Sequence, residues 1–280
     1  MLQLSEIWIY PVKSLGGISL STAQVTHRGL EHDRRWMLVD DQGVFLSQRT
    51  TPELSLFKTE IVSNHLVISH AEKAVDAIKI SLETTQVGTK ENIKVVVWDD
   101  TIDAHEVDSA FSNWFSVLLK QSVRLVYMPD QSHRKVEAKF AITTNDINSF
   151  SDGFPFLIIG QSSLEDLNSR LKQAIPMKRF RPNFVFTGGE KYEEETWSKF
   201  TIGNLSFHGV KPCGRCIMVT VDPDRGIVAG KEPLLTLSKY KRAGNNVIFG
   251  QNLITSAEGA VQVHDVILVS KTKTFEIQEG

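Results

Sequence analysis

Two cysteines carry the most reactive side chains of this sequence, and they lie three positions apart. Cys213 and Cys216 are the two cysteines of a 280-residue chain. A proline and a glycine beside them are typical turn residues, and Ile217–Val221 is a β-branched run. We therefore predict a loop just before a strand. Arg215 lies between the thiols, and a neighbouring guanidinium lowers a thiol's pKa, so one thiolate is expected to bind a soft metal or act as a nucleophile.

Several interpretations of this pair remain open from the residues alone. Free cysteines are often small buried apolar residues. A structural zinc site needs two more ligands, and no closely spaced pair among the eight histidines has a second metal signature. A thioredoxin-like pair needs a helix at the first cysteine, whereas a strand is predicted after the second. An iron–sulfur cluster normally takes four cysteines.

Four cationic side chains lie on separate turns, each beside a predicted strand end. They are Lys13, Arg34, Arg181 and Arg215. This placement favours one focused anion site over a basic face, because guanidinium groups bind phosphate bidentately. The Lys-Ser-x-Gly-Gly loop that begins at Lys13 adds a hydroxyl and backbone N–H groups, which together can hold a phosphate. A plain hairpin turn is the simpler interpretation of that loop, and arginines at strand ends are also common solubilising residues.

The composition is that of an ordinary globular protein. The chain is 41% hydrophobic and 23% charged, enough for the core of one large domain or two moderate ones. With 31 basic and 33 acidic residues the net charge is −2, so no global basic field indicates nucleic acid or membrane. The N-terminus lacks a signal-peptide pattern, and no apolar run approaches the roughly 18 residues that span a bilayer. We expect a cytoplasmic protein without nucleic-acid or membrane partners.

Short β-type segments separated by turn residues predict a mainly β fold of the barrel or sandwich type. Before residue 130 the predicted strands are Glu6–Val12, Ile18–Val25, Arg35–Val39, Val44–Ser47, Phe57–Ser63, Leu66–Ser69, Ala77–Leu82, Ile93–Trp98, Ile102–Glu106 and Val123–Met128. After it they are Phe156–Ile159, Phe184–Thr187, Phe200–Val210, Ile217–Val221, Val247–Phe249, Ala260–Val263 and Val266–Ser270.

A few helices are inserted between these strands. Asp108 is a predicted N-cap for a helix that ends at Leu119, Ser162 opens a capping-box helix to about Gln173, and Pro233 starts a helix to about Tyr240. The polar segment 129–152 is predicted to be an irregular linker or lid.

Seven motifs occur in an order that resembles a known family. They are WIYPVKSLGG, GLEHDRRWMLVD, FPFLIIGQSSLEDLNSRL, FRPNFVFTGG, KPCGRCIMVTVDPDRG, KEPLLTL and FGQN. Together they resemble the MOSC proteins with an N-terminal MOSC β-barrel region, such as the mitochondrial amidoxime-reducing component and the bacterial YcbX reductases. The resemblance covers nearly the whole chain. It implies a barrel-like β region over residues 1–120 and a MOSC β-barrel over residues 121–280, with the first strands and the Lys13 turn contributing to one cofactor site.

The resemblance also implies a molybdenum cofactor with a single pterin (Mo-molybdopterin), whose phosphate would be the bound anion. Cys216 matches the family's molybdenum ligand, and Cys213 returns to a structural role. The residues that match cofactor contacts are Lys13, Ser14, Arg34, Gly153, Phe154, Arg181, Asn183, Gly214, Arg215 and Asn252. The family's hydroxyl side chains are absent at Gly153 and Phe154, where backbone contacts are expected, and Asn252 replaces a tyrosine.

The activity implied by the resemblance is reduction of N-hydroxylated compounds, with oxygen removed at a Cys-ligated molybdenum centre and released as water. Hydroxylamines, amidoximes and N-hydroxylated bases are the expected substrates, in a detoxifying role. No indispensable protein acid or base is evident, and His208, Asp222 and Asp224 are interpreted as structural. No cysteine follows Cys216, so we expect no iron–sulfur cluster in this chain. Electrons would come from a flavoprotein reductase or from a cytochrome b5-like or ferredoxin protein.

Two other functions stay open. Cys216 could carry a persulfide, or the chain could carry the molybdenum cofactor without catalysis. A thiol redox protein would need both Cys213 and Cys216. The substrate, the electron donor and the oligomeric state are not determined by the sequence.

Overall fold

The fold is mainly β with inserted helices, as the sequence predicts, in a computed structural model that describes residues 1–83 and 92–274. In chain order the strands are Gln3–Ile9 (β1), Ile18–Leu20 (β2), Thr22–Thr26 (β3), Gly29–Leu30 (β4), Trp36–Val39 (β5), Phe57–Val62 (β6), His65–His70 (β7), Ile78–Ser81 (β8), Asn92–Val97 (β9), Asp100–Glu106 (β10), Arg124–Tyr127 (β11), Arg134–Lys135 (β12), Ile147–Asn148 (β13), Phe156–Gly160 (β14), Phe184–Thr187 (β15), Trp197–Ile202 (β16), Leu205–Arg215 (β17), Val221–Asp222 (β18), Ile227–Val228 (β19), Arg242–Ala243 (β20), Asn246–Ile254 (β21), Gly259–Gln262 (β22) and Ile267–Thr272 (β23).

The α-helices of the described residues are Ser109–Leu119 (α1), Gln161–Ser169 (α2) and Leu234–Leu237 (α3). Short 3-10 helices cover Pro52–Leu56, Met177–Arg179, Glu193–Thr196 and Ile217–Thr220. No helix within these residues is both long and apolar enough to cross a bilayer.

One large sheet joins the first strand to the second half of the chain. Its strands pair in the order β2-β1-β15-β14-β21-β17-β16-β23, and β20 pairs with β21. Strands β14 and β15 are parallel, and α2 lies in the connection between them. The segments that enter two parallel strands lie at the same edge of a sheet. Strand β1 runs antiparallel to β15, so it ends at that edge. The turn after β1, the turn before β14 and the turn before β15 are thereby brought together.

The N-terminal half contributes two smaller sheets. Strands β5, β11, β10 and β9 form one, and β6, β7 and β8 form the other. Helix α1 packs between them through the fully buried Phe115, whose ring contacts Phe57. The predicted N-cap of this helix is confirmed, because the Asp108 carboxylate accepts the Ala110 N–H at 2.8 Å. Strand β3 instead pairs with β22 near the end of the described chain. The predicted domain boundary near residue 120 stays a prediction.

Several predicted strands are divided differently in the structure. Ile18–Val25 is interrupted at Ser21, because its first half pairs with β1 and its second half pairs with β22. Phe200–Val210 is split by a turn at Gly203, between β16 and β17. Val44–Ser47 makes only isolated bridges. In each case the neighbouring strands, which a local pattern does not reveal, decide the outcome.

The predicted strand Ile217–Val221 is wrong, and so is the loop expected for Cys213. Strand β17 keeps pairing with β21 as far as Arg215, so Cys213 lies inside a strand. The last pair is Arg215 with Val247. The partner strand β21 runs antiparallel and starts at Asn246, so only one more of its residues is available beyond this pair. The chain therefore closes a 3-10 turn, in which the Thr220 hydroxyl donates to the Ile217 carbonyl at 2.7 Å.

Two predicted helices are shorter than expected. Helix α2 starts after Gly160 and ends at Ser169, without a capping bond from Ser162. The side chain of Asn168 bonds both the N–H and the carbonyl of Ile175, which folds the chain back and ends the helix. Helix α3 is a single turn, Leu234–Leu237.

The segment 129–152 is irregular, as predicted, except for the short strand pair β12–β13. It packs against the rest of the protein rather than spanning freely as a linker. Arg134 is buried and donates to the backbone carbonyls of Ser149, Ser151 and Asp152. Phe150 is fully buried. These contacts hold the end of the segment against the Lys13 turn.

Buried carboxylates lie behind the large sheet. Glu195 and Lys241, both almost completely buried, form an ion pair. Glu194 beside them accepts hydrogen bonds from the Ser163 hydroxyl and the Gly160 N–H. Burial raises the pKa of Glu194 to about 7, and the neighbouring charge of Glu195 adds to this effect. Glu194 thus titrates near neutrality although it is remote from solvent.

Candidate functional site

A pocket with about 100 Å³ of open volume lies where the three turns meet, and nearly all of the predicted cofactor contacts line it. Those that do are Lys13, Ser14, Arg34, Gly153, Phe154, Arg181, Asn183, Arg215 and Asn252. Cys213 also lines it, whereas Gly214 and Cys216 do not. We call this the turn pocket. The four cationic turns singled out in the sequence therefore surround one space.

Lys13 lies at the base of the turn pocket, with its ammonium removed from water. Its Nζ donates to the Phe150 carbonyl at 2.8 Å and to an Asp152 carboxylate oxygen at 2.6 Å. Only 6% of the residue is exposed. Burial lowers the pKa of Lys13 to about 8, even though the charge of Asp152 opposes that change. The ammonium is charged at neutral pH but poorly solvated. With two acceptors bound, it can donate one more hydrogen bond to an anion.

Asp152 is the carboxylate of the pocket, and sequence reasoning missed it. Loss of hydration in the pocket would by itself raise the pKa of Asp152. The charges of Lys13 and Arg49, with hydrogen bonds from Lys13 and the Trp98 indole, outweigh that effect and hold the pKa well below its usual value. Asp152 is therefore an anion at all physiological pH values and does not serve as a proton donor.

Arg34 and Arg181 are held by one aromatic ring between them. Their guanidinium carbons lie 4.3 and 4.1 Å from the centroid of the Tyr10 ring. Arg34 also donates twice to the buried Asp33 carboxylate. A Cβ on Gly17 would lie 2.5 Å from the Tyr10 ring, so glycine is required for this close approach. Tyr10 was not identified from the sequence, because aromatic residues in a strand pattern usually indicate core.

Three residues of the pocket have strained backbone. Ser14, Arg34 and Arg181 have φ angles of 70°, 50° and 53°, in the left-handed region that non-glycine residues seldom adopt. Such conformations persist only where the surroundings enforce them, and they cluster at functional sites. Three such residues in one pocket indicate that the directions of their side chains are maintained there, at the cost of an unfavourable backbone conformation.

Two predicted contacts already have protein partners. Arg215 donates from all three guanidinium nitrogens to the carbonyls of Phe249 and Phe180. The Asn183 amide bridges Trp8 and Leu157, on β1 and β14. Both side chains thus hold the pocket walls together. Since the guanidinium nitrogens of Arg215 already donate to carbonyls, Arg215 contributes mainly its positive charge to the pocket.

Arg49 links the turn pocket to Cys216. Its Nε–H donates to Cys216 Sγ at 3.2 Å, and its Nη2 donates to Asp152 at 3.3 Å. The guanidinium lies 4.4 Å from the Trp98 ring centroid. Arg49 lines the pocket, so Cys216 lies at its margin. The sequence offered a signal, because Arg49 lies beside a predicted strand end, as the four selected cations do.

The two cysteines have different surroundings. Cys213 is part of β17 and packs against a core cluster around Phe249. Burial raises the pKa of its thiol, and the charge of Arg215 only partly opposes this. The expectation that Arg215 promotes a thiolate is therefore wrong for Cys213. Both thiols are free. Cys216, at the start of the 3-10 turn, is the thiol with a cationic donor on its sulfur.

The pocket residues fit an anionic group. Five cationic side chains line the pocket or its margin, namely those of Lys13, Arg34, Arg49, Arg181 and Arg215, against the carboxylates of Asp33 and Asp152. The Nη2 atom of Arg181 is buried and has no hydrogen-bond partner among the described residues. A buried unpaired donor of this kind is costly unless a ligand accepts from it.

The remaining candidates contribute to structure. Asp222 pairs with Arg179 and Asp224 pairs with Lys178, as the structural interpretation of both carboxylates predicted. Burial lowers the pKa of His208, so its imidazole is neutral. Within residues 1–83 and 92–274, no three His, Cys, Asp or Glu side chains lie close enough together to hold a metal ion.

Comparisons with known proteins match both halves of the chain. The MOSC N-terminal beta barrel domain matches residues 1–122, and the MOSC domain matches residues 145–268. Mitochondrial amidoxime-reducing component 1 of Mus musculus is 34% identical over 94% of this chain and 81% of its own length. The same component of Homo sapiens is 32% identical over 94% and 82%. Molybdenum cofactor sulfurase of Oryza sativa subsp. japonica is 31% identical over 89% of this chain but only 32% of its own length.

Proposed function

Because the chain belongs to the family of MOSC proteins with an N-terminal MOSC β-barrel that includes the mitochondrial amidoxime-reducing components, we propose that it is a molybdenum-cofactor-dependent reductase of N-hydroxylated compounds. The relatives support a role related to the molybdenum cofactor. The substrate class and the dependence on molybdenum are the proposal. One observation carries it: four cationic turns and the Cys216 turn converge on a pocket whose Arg181 retains an unpaired buried donor.

In this proposal the single-pterin cofactor lies in the turn pocket, with its phosphate among Lys13, Arg34 and Arg181. Ser14, Gly153, Phe154, Asn183, Gly214, Arg215 and Asn252 are the further proposed contacts. Cys216 supplies a thiolate ligand to the metal. Soft thiolate ligands suit such centres, and the bound molybdenum supplies the oxygen-atom chemistry. The chain is proposed to hold no iron–sulfur cluster.

The side chains of the pocket have distinct tasks. Lys13 and Arg181 compensate the charge of the phosphate. Tyr10 keeps the Arg34 and Arg181 guanidinium groups at a fixed separation, and their contacts to Asp33 and to the Leu15 carbonyl prevent rotation. Arg49 donates to Cys216 Sγ and so orients the thiolate. Outer partners of this kind commonly tune a metal ligand.

The reaction takes up two electrons and two protons: R–NHOH + 2e⁻ + 2H⁺ gives R–NH₂ + H₂O. The electrons come from an external donor protein, a flavoprotein reductase or a cytochrome b5-like or ferredoxin protein. We place the protein in the cytoplasm, although the amidoxime-reducing components named above are mitochondrial.

The test measures molybdenum and pterin in protein from a host that synthesises the cofactor. Wild type, Cys216→Ala and the matched control Cys213→Ala are compared, and reduction of benzamidoxime by dithionite-reduced methyl viologen is assayed. We expect near-stoichiometric metal and activity in wild type and Cys213→Ala, and neither in Cys216→Ala. Equal metal in all three variants, or metal without reduction, contradicts the proposal.

A second candidate function is a carrier of the molybdenum cofactor or of persulfide sulfur on Cys216. The similarity to molybdenum cofactor sulfurase favours it. It predicts cyanide-releasable sulfur on metal-free wild type, retained in Cys213→Ala and lost in Cys216→Ala, with no benzamidoxime reduction.

A further inference from the structure

An apolar groove lies beside the Cys216 turn, on the surface of the barrel. It has about 380 Å³ of open volume and is lined mostly by uncharged side chains. The lining residues are Ile217, Thr220, Gly230, Lys231, Leu234, Leu235, Ser238 and Val247. We call it the Ile217 groove. Ile217 and Leu235 are 51% and 45% exposed. Val228, the β19 residue that pairs with Val221 of β18, is 46% exposed. Exposed apolar patches of this kind mark interaction sites.

Only the 3-10 turn separates the Ile217 groove from the turn pocket. Ile217 and Thr220 line the groove, whereas Met218, between them in the chain, lines the pocket. Cys216 precedes this turn and accepts the Val219 N–H on its carbonyl. A group bound in the groove is therefore one residue away from the proposed metal ligand.

The chain segment that contributes to the groove is rich in exposed cations, although the whole chain has a net charge of −2, and one of these cations, Lys231, lines the groove itself. Arg225, Lys231, Lys239 and Arg242 are all exposed in the segment that surrounds it. None of the four forms an ion pair with another residue of the described ranges. Three carboxylates lie in the same stretch of chain. Glu232 is half-buried and accepts the Thr236 N–H, whereas Asp222 and Asp224 are paired with Arg179 and Lys178. An apolar floor with unpaired cations around it complements an acidic surface.

We propose that the Ile217 groove is the docking surface of the electron donor, a small redox protein that presents an acidic rim around its redox group. This inference rests on the proposed reductase function. Each turnover oxidises one two-electron donor or two one-electron donors, and the substrate takes up the two electrons with two protons (H⁺) from the buffered solvent, releasing one water molecule. Docking at this surface brings the donor to the side of the Cys216 turn opposite the pocket, so substrate access and electron entry are separate.

The experiment uses three acidic donors as probes: the soluble haem domain of cytochrome b5, flavodoxin and a [2Fe–2S] ferredoxin. The tested variants are Lys231→Glu with Lys239→Glu, and Leu235→Gln. The control is Lys79→Glu with Lys271→Glu, which makes the same change in net charge at exposed positions elsewhere. Binding to cofactor-free protein is measured by calorimetry, and turnover of the loaded enzyme is measured with each donor and with reduced methyl viologen.

For at least one donor that binds wild type, we expect the Lys231/Lys239 variant to lose roughly tenfold in affinity and in donor-dependent turnover at low salt, with a smaller effect at high salt. Leu235→Gln should weaken binding roughly threefold with little salt dependence, and the control should bind as wild type does. Turnover with methyl viologen should be equal in all variants. Equal donor affinity in the Lys231/Lys239 variant and the control, or no binding of any probe to wild type, overturns the docking proposal. Absence of viologen-driven reduction in wild type instead overturns the reductase function and leaves the binding result to decide on docking.

Discussion

Replacing Lys13 by methionine should stabilise the cofactor-free protein. Lys13 is almost fully buried, and burial lowers its pKa from 10.5 to about 8. A tenfold change in proton affinity corresponds to about 1.4 kcal/mol, so the charged form costs the folded state about 3 kcal/mol at pH 7. Methionine has a similar volume and no charge. Removing one partner of an ion pair is costly when the other charge stays buried and unpaired. Asp152 is 50% exposed and keeps its ion pair with Arg49, so that cost is small here. We expect the free energy of unfolding to rise by about 1 to 3 kcal/mol at pH 7.

The pH dependence separates this effect from ordinary repacking. Between pH 8 and 10.5 the unfolded chain keeps the proton on Lys13 while the folded protein has released it. Folded wild type therefore gains stability as the pH rises through this range. The variant lacks the group, so the difference between the two proteins should shrink towards zero at about pH 10.5.

Urea denaturation of both proteins at pH 7, 9 and 10.5, without cofactor, measures this difference. The exposed lysine variant Lys79→Met is the control, and its effect should stay within about 0.5 kcal/mol at every pH. A Lys13→Met variant that is less stable than wild type at pH 7 would refute the reasoning. So would a stability difference that does not change with pH.

Three other variants test the remaining buried charges. Lys241→Met leaves the buried Glu195 without its partner and should cost about 3 kcal/mol in urea denaturation, most of it recovered by adding Glu195→Gln; a single variant as stable as wild type would contradict this. Burial raises the pKa of Glu194 to about 7, so wild type should lose stability as the pH rises from 4.5 through 7, whereas Glu194→Gln should not; parallel melting temperatures at pH 5 and 8 would argue against it. Arg49→Met removes the donor on Cys216 and should lower molybdenum occupancy roughly tenfold with an unchanged circular dichroism spectrum, and wild-type occupancy would disprove that role.

The cations of the turn pocket were accessible from the sequence, because a turn beside a strand end is a local pattern. Lys13, Arg34, Arg181 and Arg215 all follow it, and the structure places them around one pocket. Arg49 follows the same pattern and was overlooked, since its predicted strand, Val44–Ser47, makes only isolated bridges. The roles of these residues towards a cofactor remain predictions.

Apart from the bonds between Arg34 and the neighbouring Asp33, the contacts that hold the cations join residues far apart in the chain, and the sequence did not reveal them. Tyr10 meets Arg181 across more than half of the chain, and Asp152 meets Lys13 only because Arg134 fixes the irregular segment in between. The 3-10 turn after Cys216 was missed for a related reason. A β-branched run becomes a strand only where a partner strand extends alongside it.

The pairing of β1 with β15 also governs the order in which the protein can assemble. The Ser5 hydroxyl donates to the Val185 carbonyl, 180 residues away. Strand β3 pairs with β22, Gly259–Gln262, which is synthesised much later. On the ribosome β1 can pair early with β2, and β3 with β4, but the other edge of β1 and of β3 stays unpaired until most of the chain has been synthesised. Folds dominated by such distant pairings fold slowly, and their unpaired edges are exposed to aggregation meanwhile. The turn pocket also needs Arg215 and Asn252 from the second half of the chain, so it can be completed only after most strands have been synthesised.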